Sequence, residues 1–240
     1  MAITPQLDRI YLINVRSYTE RLAHARAQLA RYGLEADVVH EWDIGDITPE
    51  IDARYFNPST LSPGQKSCGL KHVTALWHIV NRRERYALVL EDDIVLADGF
   101  NEGLEAALTE AELHPQPHVT FIGCGGNFYT PRSQRRKGQR IYRATRGRFA
   151  DSYIIGIEAA RQRLEWITQN RISLPIDNQF EVIDRQVGIT MLWLEDPVVE
   201  QGSKLGLFTT TLESAKPNWL QHLSFMLEKL RRKYVYQLWR

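Results

Sequence analysis

The run Tyr-Ala-Leu-Val-Leu-Glu-Asp-Asp-Ile-Val at residues 86–95 passes directly from apolar to acidic. Ala87, Leu88, Val89 and Leu90 form a continuous apolar stretch with no polar alternation, the pattern of a strand buried on both faces in a largely parallel sheet. Ligands of open α/β sheets bind outside the carboxyl ends of such strands, and Glu91, Asp92 and Asp93 fall at that edge. Side chains alternate along extended backbone, so Glu91 and Asp93 are predicted to project to one side. Two carboxylates there suit a hard divalent cation, Mg²⁺ or Mn²⁺, which takes oxygen ligands and is often completed by the phosphates of a nucleotide substrate. Acids also gather at helix N-termini, where they cap orphan N–H groups, and that reading stays open at this point.

The flanking sequence supplies the rest of an α/β chain. Residues 9–15 read as a first strand, followed by a helix to about residue 32 that Ser17 or Thr19 can cap and Gly33 ends. Residues 35–42 give a second strand, so the chain opens strand, helix, strand, as a doubly wound sheet does. Asn14 and Arg16 follow the first strand, at the edge where a nucleotide could be touched or a turn formed. Residues 43–63 read as an irregular loop. A helix follows, with Leu70, Val73, Leu76, Trp77 and Val80 at helical spacing; Gly69 inside it suggests close approach of a backbone or ligand, and Lys71 or His72 could reach the acids. A helix at 98–113 leads to a strand at 118–123 that ends in Gly-Cys-Gly-Gly-Asn, which lacks the spacing of a phosphate-binding glycine fingerprint. Residues 131–148 hold Arg132, Arg135, Arg136, Lys137, Arg140, Arg143, Arg146 and Arg148 and no acid, a stretch suited to a diphosphate, an acidic acceptor or an anionic surface if it is not simply solvated. A strand at 149–157, a helix at 158–169, a helix beginning near Asp177, a strand at 190–194 and a non-helical segment at 197–202 lying back along the sheet complete the pattern. Asp177 could be that helix's N-cap or a catalytic acid.

A chain of 240 residues suits one domain with a sizeable core. Its formal net charge of +1 gives no global attraction to nucleic acid, and none is expected as a partner. Cys68 and Cys124 form neither a disulfide framework nor a zinc cluster, which points to a reducing compartment with both buried as small apolar residues. Without a secretion signal or a membrane-length apolar stretch, the expected location is cytoplasmic. The divisions expected are a domain at 1–213 and a basic amphipathic helix at 214–240. That helix ends in Lys229, Arg231, Arg232, Lys233 and Arg240 beside Tyr234, Tyr236 and Trp239, and it could hold the protein peripherally at the inner face of a membrane or pack on the core.

In order along the chain stand Ile-Asn-Val with Ser17 and Arg21, Leu-Ser-Pro-Gly-Gln-Lys-Ser-Cys-Gly-Leu-Lys-His, Leu-Val-Leu-Glu-Asp-Asp, Ser-Tyr-Ile-Ile, Leu-Pro-Ile-Asp and Glu-Asp-Pro-Val-Val-Glu-Gln-Gly-Ser. This set, from Arg9 to about Ser203, resembles glycosyltransferase family 25, which includes bacterial lipooligosaccharide galactosyltransferases and collagen galactosyltransferases. The resemblance implies a GT-A-like single domain with a mostly parallel, mixed sheet flanked by helices. It also implies a UDP-sugar donor, usually UDP-galactose, a Mn²⁺-type metal, a glycan or glycolipid acceptor, and inversion at the anomeric carbon. It places Asn14, Arg21, His72, Glu91, Asp92, Asp93 and Tyr153 around the donor, with Asp93 and Glu91 as metal ligands. Asp177 matches the acid after the family's Pro-Ile pair and is the first candidate for the base, with Asp151 and Glu181 also open. Two positions depart from the family: Lys71 stands where Ser is common, and Thr209, Thr210 and Thr211 replace a Ser-Asp-Ile-like ending, which leaves a third metal ligand unassigned. Two other functions fit the residues: a nucleotidyltransferase or related nucleotide-sugar enzyme, and an inert glycan- or nucleic-acid-binding module that works through residues 131–148.

Overall fold

A computed structural model describes residues 7–208 together with Leu227, Leu230, Arg231 and Tyr234. Its strands are β1 (Arg9–Ile13), β2 (Asp37–Val39), β3 (Tyr86–Glu91), β4 (Ile94–Leu96), β5 (His118–Phe121), β6 (Ile141–Arg143), β7 (Ser152–Gly156), β8 (Thr190–Leu194) and β9 (Val199–Gln201). Its α-helices are α1 (Thr19–Ala30), α2 (Pro49–Tyr55), α3 (Pro63–Arg82), α4 (Phe100–Ala111), α5 (Ile157–Asn170) and α6 (Ile176–Val187). Seven strands form one sheet in the order β2-β1-β3-β7-β5-β8-β6, and β4 and β9 form a second, two-stranded sheet. From the pairings, β1, β2, β3, β5 and β8 run one way while β6 and β7 run against them. The sheet is therefore mixed with a parallel majority, and the α/β class stands as expected.

Alternation along the strands builds two cores. Tyr11, Ile13, Ala87, Val89, Tyr153 and Ile155 face α3, α5 and α6, while Ile10, Leu12, Leu88, Leu90 and Ile154 face α1 and α4. Helices cover both faces, which is why residues 87–90 carry no polar position.

Several local expectations are corrected. The residue before α1 is Tyr18, with no side-chain cap, so neither Ser17 nor Thr19 plays that part. Residues 43–63 are not an irregular loop: they contain a 3-10 turn (Ile44–Asp46) and α2, which Thr48 caps by accepting from the Ile51 N–H and Pro49 opens. Trp77 is 56% exposed, so the buried stripe of α3 runs through Leu70, Val73, Leu76 and Ile79 instead. Ser62 and Gln65 cap α3 reciprocally. Gly69 admits neither a backbone nor a ligand; a Cβ built there would meet only Phe56 and Ile172 side chains, at 3.9 and 4.0 Å. Gly69→Ala is therefore expected to stabilise the protein by up to about 1 kcal/mol by removing backbone freedom from the unfolded chain. Urea unfolding at equal m-value checks it, and a lower midpoint would mean that α3 cannot take the methyl group.

Among the described residues no helix is long and apolar enough to cross a membrane. The expected amphipathic helix at 214–240 and the departure at Thr209–Thr211 lie outside the described residues, apart from the four positions named above.

Candidate active site

The pairing of β1 with β3 sets Ile13 beside Glu91, so the chain leaves both strands at the same edge. Asn14 then donates from Nδ2 to Asp92 Oδ2 at 2.8 Å, and Arg21, from the first turn of α1, donates to Asp92 Oδ1 at 3.1 Å. Strand β7 runs against β3 and begins at this edge, which brings in Asp151, whose carbonyl accepts from the Glu91 N–H at 2.9 Å. The second sheet closes from above. The Asp93 carbonyl accepts from the Gly202 N–H, and Asp93 Oδ2 accepts from the Ser203 N–H at 3.3 Å. A Cβ at position 202 would stand 2.9 Å from that carbonyl, so only glycine lets the strap lie this close.

Two clefts meet here. One, of about 690 Å³, lies between the end of β1, the start of α1, residues 43–45 and the start of α3, and Asn14 and Asp92 line it. The other, of about 370 Å³, is lined by Glu91, Asp93, Asp177, Ala150, Ser203 and Lys204 among others. Arg21, Cys68 and Glu91 belong to both walls. Strand alternation does not set this run, because β3 ends at Glu91 and Asp92 and Asp93 form a turn; Glu91 and Asp93 nevertheless share the smaller cleft, and Asp92 lines the larger.

The acids are poised against ionisation. Burial pushes the Asp92 carboxyl up to about 6 despite Arg21 and Asn14. Asp93 is 4% exposed and raised by burial and then by the Glu91 charge; Asp151, 1% exposed, is raised well above the carboxylate range by the same two causes. Asp93 Oδ1 and Asp151 Oδ1 are buried with no hydrogen-bond partner. Asp151 is seated under the Gly123-Cys124-Gly125 run, where a Cβ at 123 would lie 2.3 Å from its Oδ2 and one at 125 would lie 2.8 Å from its Oδ1. The glycines after β5 thus make room for a carboxylate.

Asp177 is not a cap. Pro175 holds the N-cap position of α6 and Asp177 sits in the first turn, its Oδ1 accepting from its neighbour's N–H (Asn178) at 2.9 Å. It lines the smaller cleft, and burial followed by the Glu91 charge raises its carboxyl.

The other expected residues lie behind or beside the clefts. Glu181 lines neither cleft; its oxygens accept from the Gly147 N–H at 3.0 Å and pair with Arg185 at 2.6 Å. His72 and Tyr153 are fully buried behind Glu91, with His72 Nδ1 3.1 Å from the Tyr153 hydroxyl. Lys71 lines the larger cleft, but its amine donates to the carbonyls of His40 and Glu41 and pairs with Asp43 rather than with the acidic run. No basic residue of 131–148 lines either cleft. Arg148 is buried and donates to the carbonyls of Gly123, Leu194 and Phe128; Arg140 donates to the Glu102 carbonyl; Arg135 faces Glu195; Arg146 lies over the Phe128 ring. Sequence reading also set Cys68 aside as a buried apolar residue. It stands half-buried in the wall common to both clefts, its thiol 3.8 Å from Glu91 and held protonated by burial and that charge. Its i,i+4 spacing from His72 was the available signal.

The sequence matches the model of "Glycosyltransferase family 25 (LPS biosynthesis protein)" over residues 7–180, well over half of the chain. The chain belongs to glycosyltransferase family 25. That span takes in the acidic run and Asp177, while Glu195–Ser203 lies beyond it. No curated protein matches the sequence significantly.

Solved structures with similar chains include the Drosophila β1,4-galactosyltransferase 7 catalytic domain in complex with xylobiose (12% identity, 88% of this chain and 77% of that one, TM-score 0.44). They also include the Thermotoga maritima inositol-1-phosphate CTP transferase (10%, 95% and 98%, 0.47) and a glycosyltransferase involved in glycosylation of the PBCV-1 major capsid (7%, 91% and 98%, 0.42). At such identities and scores no property of these proteins transfers to this family 25 chain.

Proposed function

We propose that this glycosyltransferase moves a hexose, galactose in the first instance, from a UDP-sugar to a hydroxyl of a lipooligosaccharide or other cell-surface glycan, with inversion and with a divalent cation. The observation that carries this reading is the joining of the two clefts at Glu91 and Arg21, with Asp93 and Asp177 on one side and Asn14 and Asp92 on the other. The larger cleft has the volume of a nucleotide-sized ligand site, and the smaller offers room for a sugar and an acceptor hydroxyl.

The residues present fit the family's metal. Glu91 and Asp93 line the same cleft and offer carboxylate oxygens of the kind Mn²⁺ or Mg²⁺ takes, and Asp93 Oδ1 is buried with no other partner. When bound, such an ion neutralises charge on a departing diphosphate. The chain's own residues would do the rest. Arg21 and Lys204 bring positive charge to the cleft wall, where they would meet phosphate oxygens. Asn14 and Arg21 fix Asp92 at the mouth of the nucleotide side. Asp177 would accept the proton of the acceptor hydroxyl, and its raised carboxyl is better matched to that work near neutral pH than an ordinary aspartate. Glu181, committed to Gly147 and Arg185, and Asp151, sealed under the glycines, are less suited. The acceptor would be met at the cytoplasmic face of a membrane, where the basic and aromatic sequence of residues 229–240 suits an anionic surface.

A panel of nucleotide sugars tested by thermal shift with and without Mn²⁺ decides it. UDP-galactose with Mn²⁺ should raise the melting temperature, by the equivalent of about 2.7 kcal/mol at a hundredfold excess over Kd, and UDP should be released slowly. Release of pyrophosphate with capture of the nucleotide would identify a nucleotidyltransferase instead, and a well-folded protein that binds no nucleotide sugar would remove the reading altogether.

A further inference from the structure

Cys68 and His72 stand four residues apart on α3, so both side chains leave the same face of the helix, and that face meets the end of β3. Glu91 Oε1 lies 3.8 Å from Cys68 Sγ and 3.6 Å from His72 Nε2, and the three donor atoms fall within 4.8 Å of one another. His72 is fully buried, and its Nε2 has no hydrogen-bond partner. Its other ring nitrogen is held by Tyr153, which is itself packed among Phe121 and Phe180. A histidine fixed through one nitrogen, with the other presented bare to a thiol and a carboxylate, is how proteins orient a metal ligand.

The geometry points to a zinc-type cation site formed by Cys68 Sγ, His72 Nε2 and Glu91, distinct in its chemistry from the all-oxygen set of Glu91 and Asp93. A thiolate, an imidazole and a carboxylate make a borderline-soft donor set that favours zinc over magnesium or manganese. With Zn–N near 2.0 Å and Zn–S near 2.3 Å, a tetrahedral ion sets neighbouring donors about 3.3–3.6 Å apart. The two separations to Glu91 already stand within a few tenths of an ångström of that, and the Cys68–His72 edge is the one that shortens on binding. Cys68 binds as the thiolate and releases its proton to solvent. Three protein ligands leave a fourth position, and because Cys68 and Glu91 line both clefts, it faces the substrate space. Since Glu91 belongs to both sets, zinc here and a hard ion at Glu91 and Asp93 exclude one another. That exclusion rests on the function proposed above; the zinc site does not.

The test is titration of the metal-stripped full chain with Co²⁺ and then Zn²⁺. One equivalent of Co²⁺ should produce a thiolate-to-metal charge-transfer band that one equivalent of Zn²⁺ removes. Cys68→Ser, which keeps a small hydrogen-bonding group beside Glu91 and leaves the buried His72 untouched, should lose the band and weaken zinc binding at least tenfold. Asp93→Asn should keep both. A wild-type protein without the band, Cys68→Ser with undiminished zinc affinity, or loss of the band in Asp93→Asn would each overturn the assignment. No outcome depends on sugar transfer, so failure of the transferase reading leaves the result interpretable.

Discussion

Asp93→Asn is expected to lower kcat for metal-dependent sugar transfer by about 10²- to 10³-fold, the loss typical when one preorganised electrostatic contact to developing charge is removed. Asparagine has nearly the same shape and can still accept from the Ser203 N–H, so the strap of residues 199–203 should stay closed. Stability gives a second readout with a definite sign. Burial and the Glu91 charge raise the Asp93 carboxyl, so the folded state holds its proton more tightly than the unfolded chain does. That preference stabilises the metal-free protein at acid pH and is lost as pH rises through the folded value, where a buried charge remains. The asparagine variant carries no such charge. Its melting temperature relative to wild type, in the absence of divalent ions, should therefore climb as pH rises above the ordinary aspartate value of about 3.9. Normal turnover in the variant would sink the site assignment, and a destabilisation equal at every pH would make Asp93 a structural acid.

Asp184→Ala is expected to cost about 3–5 kcal/mol, a large share of a stability that for most domains totals about 5–15 kcal/mol. Arg163 on α5 and Asp184 on α6 are both fully buried and joined by two hydrogen bonds, Nε to Oδ1 at 2.8 Å and Nη2 to Oδ2 at 2.7 Å. The guanidinium also lies over the Phe180 ring at 4.1 Å and near that of Tyr153 at 5.4 Å. Removing the carboxylate strands a buried cation, and that penalty is larger than the net worth of the pair. The double variant Arg163→Met, Asp184→Leu should recover most of the loss by replacing ions with apolar volume. A double variant as unstable as the single one would show that packing at this spot, and not the stranded charge, sets the cost. Because Tyr153 holds His72, loosening here should also reach the back of the site.

The same contrast between local pattern and through-space contact separates what could be read early from what could not. A strand buried on both faces, its acidic end and the order of the family's motifs are short-range features, since side-chain alternation and helix periodicity depend on neighbours a few residues away. They were enough to anticipate an α/β chain with three carboxylates gathered where β3 ends. The partners of those acids were not legible in this way. Ser203 closes on Asp93 across 110 positions and Asn14 meets Asp92 across 78, and no local period encodes such meetings. The eight basic residues of 131–148 looked like one anion-binding loop because composition registers charge and not burial; the fold spends Arg148 on three backbone carbonyls and leaves none of the eight on a cleft wall. Trp77 fell on the predicted apolar stripe yet faces outward, and Cys68 looked inert yet stands between the two clefts. By itself the sequence determined the α/β class, the acidic edge and the family, because these follow from local periodicity and motif order, while β4 and β6 were not read from it. Only the tertiary structure decided which acid shares which cleft, because that depends on an antiparallel β7 delivering Asp151 and on a distant strap closing over Asp93, contacts made through space after the chain has folded.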